Sequence, residues 1–350
     1  MEEAYVSPEL QVEVHRAAIP SPKQNEVLIK VAFAGMNPKD WKVPIFAQQA
    51  MNSGDDLAGV VEAVGQGVFE FKPGDRVAAM HAIASPHGSF AEYAIAPTST
   101  TFHIPLYTTF EEASTIPLAG LTAAYGLFDT LGLPAPWSAS KPDNGPLVIH
   151  GAGTAIGAFA IKLANAAQIH PIIATAGNSI DFVRGLLRPD KGDVLIDYRQ
   201  PRDKLVAEIQ SAISAASQKP AWFGLDGATN QDGAPEYTGV LKDALGTQPG
   251  LEAFPSRKPR IATVQGRSKV TGSVEGDYIN VMLAHTGSDY QKCFAHQVSR
   301  LFAYGLAQGW LTGHPTEVLE GGLAEIGPGL ERLKNGQVHG KKLVVKVADD

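Results

Sequence analysis

Three glycines and three small or apolar residues form the segment of this chain whose residue types and spacing most clearly indicate a binding site. A buried apolar run, 147–150, precedes the segment, and a helical pattern to Ala164 follows it. The residues of the turn are Gly151, Gly153, Thr154, Ala155, Ile156 and Gly157. Glycines let a backbone turn sharply and approach a ligand closely, and N–H groups at a helix start attract a pyrophosphate. The segment predicts a dinucleotide-binding turn in which Thr154, Ala155 and Ile156 offer amides to a nicotinamide cofactor.

The interpretation of this turn depends on the elements around it. The turn lacks the strict G-x-G-x-x-G spacing, and glycine-rich turns between a strand and a helix also occur without a ligand. Apolar, β-branched runs follow it, with helix-like segments between most of them. The runs cover 172–175, 194–198, 222–226, 261–264 and 278–284. Strands that alternate with helices predict a parallel sheet covered on both faces.

The amino-terminal third has a different texture, with short alternating strands such as 26–33 and 58–64 and glycine-marked turns between them. This pattern is typical of a small β-rich domain. We expect that domain over 1–118, a nucleotide-binding α/β domain over 119–286, and a return to the first domain over 287–350. Within the return, the predicted elements are helices over 290–310 and 330–336 and a strand over 342–347.

Length and composition exclude several classes of protein. The 350 residues suffice for two domains with cores of their own. A net charge of −7 disfavours nucleic acid as a partner. The single cysteine, Cys293, excludes an internal disulfide framework and a zinc site built from several thiolates. The sequence has no run of about 18 apolar residues and no signal-peptide pattern at its start, which favours the cytoplasm and no membrane contact.

Several motifs besides the nucleotide turn carry a resemblance to a known family. They cover 35–42, 54–65, 72–77, 88–93, 117–125 and 340–345. Taken together and in this order, they resemble the medium-chain dehydrogenase/reductase superfamily over nearly the whole chain. The resemblance implies an α/β fold in which a Rossmann doubly wound parallel sheet is joined to a β-rich GroES-like domain.

The positions of the metal ligands in the superfamily's zinc branch are occupied here by other residues. Asn37 stands where that branch has a cysteine ligand, Asp55 where it has a histidine ligand, and Asp56 where a glutamate lies beside the metal. A catalytic zinc needs three good protein ligands and an open position. We therefore expect no metal, and the chain is most similar to the zinc-independent quinone oxidoreductase and enoyl reductase branch. This branch includes the stand-alone, trans-acting fungal enoyl reductases that serve polyketide synthases.

The second strand of the nucleotide domain points to the form of the cofactor. The stretch 172–179 ends without an acidic residue. An NAD enzyme normally places one there to bind the ribose hydroxyls, so NADPH is favoured. By resemblance, Asn178 and Ser179 hold the adenosine phosphate, Arg184 adds charge nearby, and Tyr198 lies against the adenine. Tyr198 is equally compatible with a purely structural role at a strand end.

The resemblance also assigns residues near the reacting groups. Cofactor contacts are expected at Lys39, Asp40, Trp41, Leu283, Val344 and Val345, and in the turn after 261–264. Lys42 is the expected cation near cofactor or substrate, Asn37 a polar donor, and Thr122 a hydrogen-bonding group for nicotinamide or substrate. Lys42 could also be a solvated lysine and Thr122 a helix-capping or packing residue. The proton donor is unassigned and could be water.

The resemblance implies hydride transfer from NADPH, without a metal ion, to a C=C bond conjugated with a carbonyl group, as in an enone or enoyl thioester, or to a quinone. The substrate would be a small molecule or a carrier-bound acyl chain, with a polyketide synthase as a possible partner. An NADPH-binding structural or sensing protein without turnover is the alternative of another class. Both a homodimer and a monomer stay open, and the run 278–284 is similar to the strand that pairs between subunits in this superfamily.

Overall fold

A computed structural model describes residues 1–139, 145–228, 237–264 and 272–348. The strands, in chain order, are β1 (Glu2–Val6), β2 (Val12–Arg16), β3 (Glu26–Gly35), β4 (Asp56–Val64), β5 (Arg76–Met80), β6 (Tyr93–Pro97), β7 (Thr101–His103), β8 (Leu147–His150), β9 (Ile172–Ala176), β10 (Val194–Asp197), β11 (Phe223–Asp226), β12 (Arg260–Thr263), β13 (Glu275–Tyr278), β14 (Thr316–Leu319) and β15 (Lys342–Lys346). The α-helices are α1 (Pro38–Ala47), α2 (Phe110–Ala113), α3 (Pro117–Ala124), α4 (Ala155–Ala166), α5 (Ile180–Arg184), α6 (Arg202–Ala216), α7 (Tyr237–Gly246), α8 (Leu283–Thr286), α9 (Asp289–Ala307) and α10 (Ile326–Lys334). The turn after β12, residues 265–271, lies outside the described residues.

The chain divides into two compact units. Unit 1 consists of Met1–Leu121 and Val281–Asp350, and unit 2 of Thr122–Asn280. The expectation from the sequence placed the two boundaries after residues 118 and 286. The dividing point therefore falls inside α3 on one side and before α8 on the other.

Unit 1 is built on a seven-stranded sheet in the order β14-β15-β3-β4-β5-β7, with β6 paired to β3. All of these pairs are antiparallel except β14 with β15. Its core contains buried side chains from several strands, such as Ile29, Leu57, Val77 and Val345. Because β15 pairs with β3, the end of the chain returns to the sheet of unit 1.

Unit 2 contains a six-stranded sheet in the order β10-β9-β8-β11-β12-β13, and every pair in it is parallel. From β8, the strands β9 and β10 follow one another on one side, and β11, β12 and β13 follow one another on the other side. In such sheets ligands bind at the carboxyl ends of the strands, where the strand order reverses. The predicted fold class, a Rossmann-type parallel sheet with a β-rich GroES-like domain, is confirmed. No helix in the described part of the chain is long and apolar enough to cross a membrane.

The predicted strand over 278–284 is wrong. The strand β13 ends at Tyr278, and Leu283 lies in the short helix α8. Periodicity alone does not distinguish a short apolar strand from a buried helical segment, so this run carried too little information. The helix predicted over 290–310 is α9, which ends earlier because Gly309 takes a left-handed φ of 74°.

Candidate functional site

The glycine-rich turn in unit 2 has the predicted strand–turn–helix form. Gly151 follows β8 with a φ of 70°, which favours glycine. Thr154 caps α4, because its Oγ1 accepts a hydrogen bond from the N–H of Gly157 at 3.0 Å. The N–H of Thr154 itself donates to the carbonyl of Gly151 at 3.0 Å. Of the three expected amide donors, that of Thr154 is therefore committed to the turn, whereas Ala155 and Ile156 are the first residues of α4.

Two glycines of this turn are needed for close packing. A Cβ at Gly153 would overlap the side chain of Ser179, and a Cβ at Gly157 would overlap the backbone of Gly151. The turn therefore lies directly against the residues that follow β9. This packing brings Ser179, an expected phosphate contact, beside the nucleotide turn.

The residues expected at the adenosine end lie near one another, except Arg184. Arg199, which was not expected, lies there as well. Gly177 packs under the ring of Tyr198, whose Cζ would be 2.8 Å from a Cβ at that position. Arg199 donates from Nη1 to Oδ1 of Asn178 at 2.8 Å. Arg184 instead pairs with Asp181, one helical turn away on α5. Sequence reasoning missed Arg199, although its place directly after Tyr198 at a strand end was a usable signal.

A row of buried polar side chains supports the turn from within the sheet. His150 ends β8, and Nδ1 of its ring is 2.7 Å from Oγ1 of Thr175. In register with His150 is Asp226 of β11, which in turn is opposite Thr263 of β12. Burial lowers the pKa of His150 to about 4, so the imidazole is neutral near pH 7. His150 is therefore a buried structural residue at the end of β8, directly before the turn.

In unit 1, the segment that begins α1 is anchored by buried charges. The backbone N–H of Asn37 donates to Oδ2 of Asp40 at 2.7 Å, which ties the helix start together. Nζ of Lys39 lies 2.8 Å from Oδ1 of Asp40 and also contacts the carboxylate of Asp55 and the carbonyl of Ser53. Burial would lower the pKa of Lys39, but the charges of Asp40 and Asp55 raise it overall. Lys39 is thus a half-buried lysine held in its charged form by two buried carboxylates.

The carboxylates around Lys39 differ in their surroundings. Burial raises the pKa of Asp40 to about 7, against the opposing effect of the Lys39 ammonium. For Asp55 the effect of burial is outweighed by Lys39 and His81, which lower its pKa. Nδ1 of His81 is 2.7 Å from Oδ1 of Asp55, and His81 is 1% exposed. No partner of His81 could be predicted from the sequence, since Asp55 is 26 residues away, directly before β4.

A second buried network surrounds Asn37. Nδ2 of Asn37 donates to Oδ2 of Asp56 at 2.9 Å, and Oδ1 of Asn37 accepts from Nζ of Lys342 at 2.8 Å. Lys342 also forms an ion pair with Asp56, whose Oδ1 accepts from the N–H of Leu118 at 2.6 Å. The amide of Asn37, expected as a donor to substrate, is therefore engaged on both sides. Lys342 was missed because it is 305 residues away in the chain.

The remaining candidate residues differ in how accessible they are. Nζ of Lys42 lies 5.2 Å from the ring centre of Trp41, and both side chains are half-buried. Thr122, in α3, is 5% exposed, whereas Leu283 is half-buried in α8. Val344 and Val345 are fully buried in β15, so their side chains serve the core and only their backbone could meet a ligand.

Known proteins resemble this chain over nearly its whole length. The alcohol dehydrogenase GroES-like domain family matches residues 23–106. The trans-enoyl reductase fsr4 of Gibberella fujikuroi is 36% identical over 324 residues, which cover 92% of this chain and 91% of that protein. The trans-enoyl reductase resD of Aspergillus sclerotiorum is 30% identical over 358 residues, covering 95% and 96%. The crystal structure of the CurK enoyl reductase superposes with a TM-score of 0.76 at 21% identity and covers 99% of each chain, which supports the fold alone.

Proposed function

Because the chain belongs to the medium-chain dehydrogenase/reductase superfamily of oxidoreductases, we propose that it reduces a C=C bond conjugated to a carbonyl group, or a quinone, with NADPH and without a metal ion. The observation that carries this proposal is the capped, glycine-packed turn at Gly151–Gly157 in a chain 36% identical to a protein named as a trans-enoyl reductase. Among the possible reactions of the superfamily, that relationship favours alkene reduction.

The residues of the turn fit a dinucleotide. Gly153 and Gly157 carry no side chain where the backbone and Ser179 approach, and the start of α4 presents its first N–H groups, those of Ala155 and Ile156, toward a pyrophosphate. When bound, the dinucleotide supplies the hydride. We assign Asn178, Ser179 and Tyr198 to its adenosine end, and Thr122, Leu283 and the backbone of Val344 and Val345 to nicotinamide contacts.

In this reaction the hydride and its electron pair form a C–H bond at the β-carbon. The π pair of the C=C bond then joins the α-carbon to the carbonyl carbon, and the π pair of the C=O bond moves to the oxygen to give an enolate. We assign Lys42 to that oxygen, because a cation stabilises the enolate more than the uncharged ketone. A proton, for which water is the expected source, then completes the α-carbon. Lys39, Asp40 and Asn37 hold the start of α1 in place behind Trp41 and Lys42, so they position the site without touching substrate.

Two lysines support the proposal that the reaction needs no metal ion. The ammonium of Lys39 lies on the carboxylate of Asp55, and that of Lys342 on Asp56. These carboxylates stand at the positions that resemble the zinc surroundings of the superfamily's metal branch. Their negative charge is already balanced, so a divalent ion would have to displace an ammonium group from its carboxylate. Among the described residues, no three His, Cys, Asp or Glu side chains are arranged to hold a metal ion.

The preference for NADPH is supported by the residues after β9. Gly177, Asn178 and Ser179 follow this strand, and none of them is acidic. A carboxylate at this point would bind the ribose hydroxyls of NADH and repel a phosphate.

The test is NADPH oxidation with three substrates: a simple enone, a quinone and an enoyl thioester. We expect turnover with at least one of them, slower turnover with NADH, and no loss of activity after dialysis against a chelator. Failure with all three substrates would reject the reductase proposal. Loss of activity on chelation, restored by zinc, would reject the metal-free mechanism.

The role of Lys42 is tested by Lys42→Ala. We expect turnover to fall about 10²-fold, in line with the loss of one enolate-stabilising group. Lys334→Ala is the matched control, since the Lys334 ammonium also lies over Trp41, at 5.9 Å. Unchanged turnover of Lys42→Ala, or an equal loss in both variants, would remove Lys42 from the proposed role.

The relatives are named trans-enoyl reductases, which favours an enzyme that acts in trans. The resemblance to the fungal enzymes implies an acyl chain carried by a polyketide synthase as the substrate. In that case activity should be far higher on a carrier-bound enoyl chain than on the corresponding free thioester. Full activity on a free enone would count against this restriction. NADPH binding without turnover on any of these substrates would favour a sensing or structural role instead.

A further inference from the structure

The ends of β9 and β10 bring an asparagine and an arginine together at one edge of the unit 2 sheet. The two strands run parallel with Asp197 opposite Ala176, so the residues that follow them are neighbours. Nη1 of Arg199 donates to Oδ1 of Asn178 at 2.8 Å. A guanidinium thus contacts Asn178, and it belongs to Arg199 rather than to Arg184, the arginine expected by resemblance.

Asp197 holds Arg199 in this position. Nε of Arg199 is 3.0 Å from Oδ1 of Asp197, Nη2 is 2.6 Å from Oδ2, and the backbone N–H of Arg199 donates to Oδ1 at 2.9 Å. The hydrogen bonds from Arg199 lower the pKa of Asp197 to about 2, so this carboxylate is ionised at working pH. Both side chains are about half-exposed, at 49% and 42%, and a solvated pair of this kind is weak enough to change partners.

The neighbouring residues connect Arg199 to the nucleotide turn. Ser179 packs against Gly153 of the turn, and Gly177 packs under Tyr198. A dinucleotide with its pyrophosphate on the turn would therefore bring its adenosine ribose to 177–179. The planar fork of an arginine suits the oxygens of a phosphate group at that ribose.

We propose that Arg199 binds the 2′-phosphate of the dinucleotide and sets the preference of this chain for NADPH over NADH. The inference rests on the proposed function of the same site. In the absence of Arg199, Asp197 would leave an uncompensated carboxylate beside Asn178, which repels a phosphate and accepts hydrogen bonds from ribose hydroxyls. Arg184 pairs with Asp181 on α5, whereas Arg199 is the arginine that contacts Asn178.

The experiment uses 2′,5′-ADP, which has the 2′-phosphate but no nicotinamide, and 5′-AMP, which lacks that phosphate. Calorimetric titration of Arg199→Ala should show about 10- to 100-fold weaker binding of 2′,5′-ADP, as for the loss of a charged hydrogen bond. Binding of 5′-AMP should stay within about twofold, since the rest of the site is intact. Arg202→Ala is the matched control, because Arg202 is a similarly exposed arginine paired with Asp243 at 2.7 Å.

Three results would overturn the inference: an equal loss of affinity for both nucleotides, a loss with Arg184→Ala in place of Arg199→Ala, or wild-type protein that binds 2′,5′-ADP no more tightly than 5′-AMP. Arg199→Lys should bind the probe with intermediate affinity, since it keeps the charge without the fork. The readout does not depend on catalysis. Wild-type protein that binds the probe through Arg199 and yet reduces no alkene or quinone would reject the proposed function and retain this inference.

Discussion

Replacing Lys342 by methionine should strongly destabilise unit 1. The Lys342 side chain is 4% exposed and its partner Asp56 is fully buried. Lys342→Met keeps most of the apolar stem but leaves the Asp56 carboxylate without its cation. Removal of one partner from a buried ion pair costs about 3–5 kcal/mol of unfolding free energy. The orphaned Oδ1 of Asn37 is part of the same loss and is not added to it.

The assay is urea unfolding, combined with hydrogen exchange of the β15 amides to follow unit 1 by itself. Lys341→Met is the control, because this neighbouring lysine is exposed and should change the unfolding free energy by less than about 0.5 kcal/mol. The double variant Asp56→Asn with Lys342→Met removes both charges, and the freed Asn37 amide can rotate to present its oxygen. The unfolding free energy of this double variant should be at least about 1 kcal/mol higher than that of Lys342→Met. A loss below about 1 kcal/mol in Lys342→Met would refute the argument that Asp56 depends on this cation.

Two further predictions concern unit 2. The pKa of His150 is lowered in the fold from its ordinary 6.5 to about 4, so its contribution to stability is complete above pH 6.5 and is lost as the pH falls towards 4. The variant His150→Gln should lose about 3 kcal/mol less than wild type between pH 7 and pH 4 in urea unfolding, and identical pH profiles would contradict a buried neutral imidazole. Gly153→Ala should abolish tight NADPH binding in fluorescence titration, because the new methyl group overlaps Ser179. Adding Ser179→Gly should bring the affinity back to that of the single variant Ser179→Gly, since only the Ser179 side chain overlaps the new methyl group. A double variant that still binds NADPH more weakly than Ser179→Gly would show that the turn itself had been distorted.

The elements around the nucleotide turn could be predicted from the sequence because their causes are local. Apolar runs, glycine spacing and helical periodicity define β8, the turn and α4 within about 20 consecutive residues. Asn178, Ser179 and Tyr198 were expected at one site by resemblance. The contact of Gly177 with Tyr198 has a general reason, since neighbouring parallel strands end at the same edge of a sheet. Where the local signal was short, as over 278–284, the same reasoning gave the wrong element.

The sequence by itself therefore determined the two kinds of domain, the nucleotide turn and the family. Tertiary structure alone decided which charges meet. Lys342 reaches Asn37 across 305 residues because β15 pairs with β3, and Arg199 rather than Arg184 reaches Asn178 because α5 directs Arg184 to Asp181. Strand register and helix direction are set by the packing of the whole unit. They depend on contacts between distant parts of the chain, so single sequence motifs do not predict them.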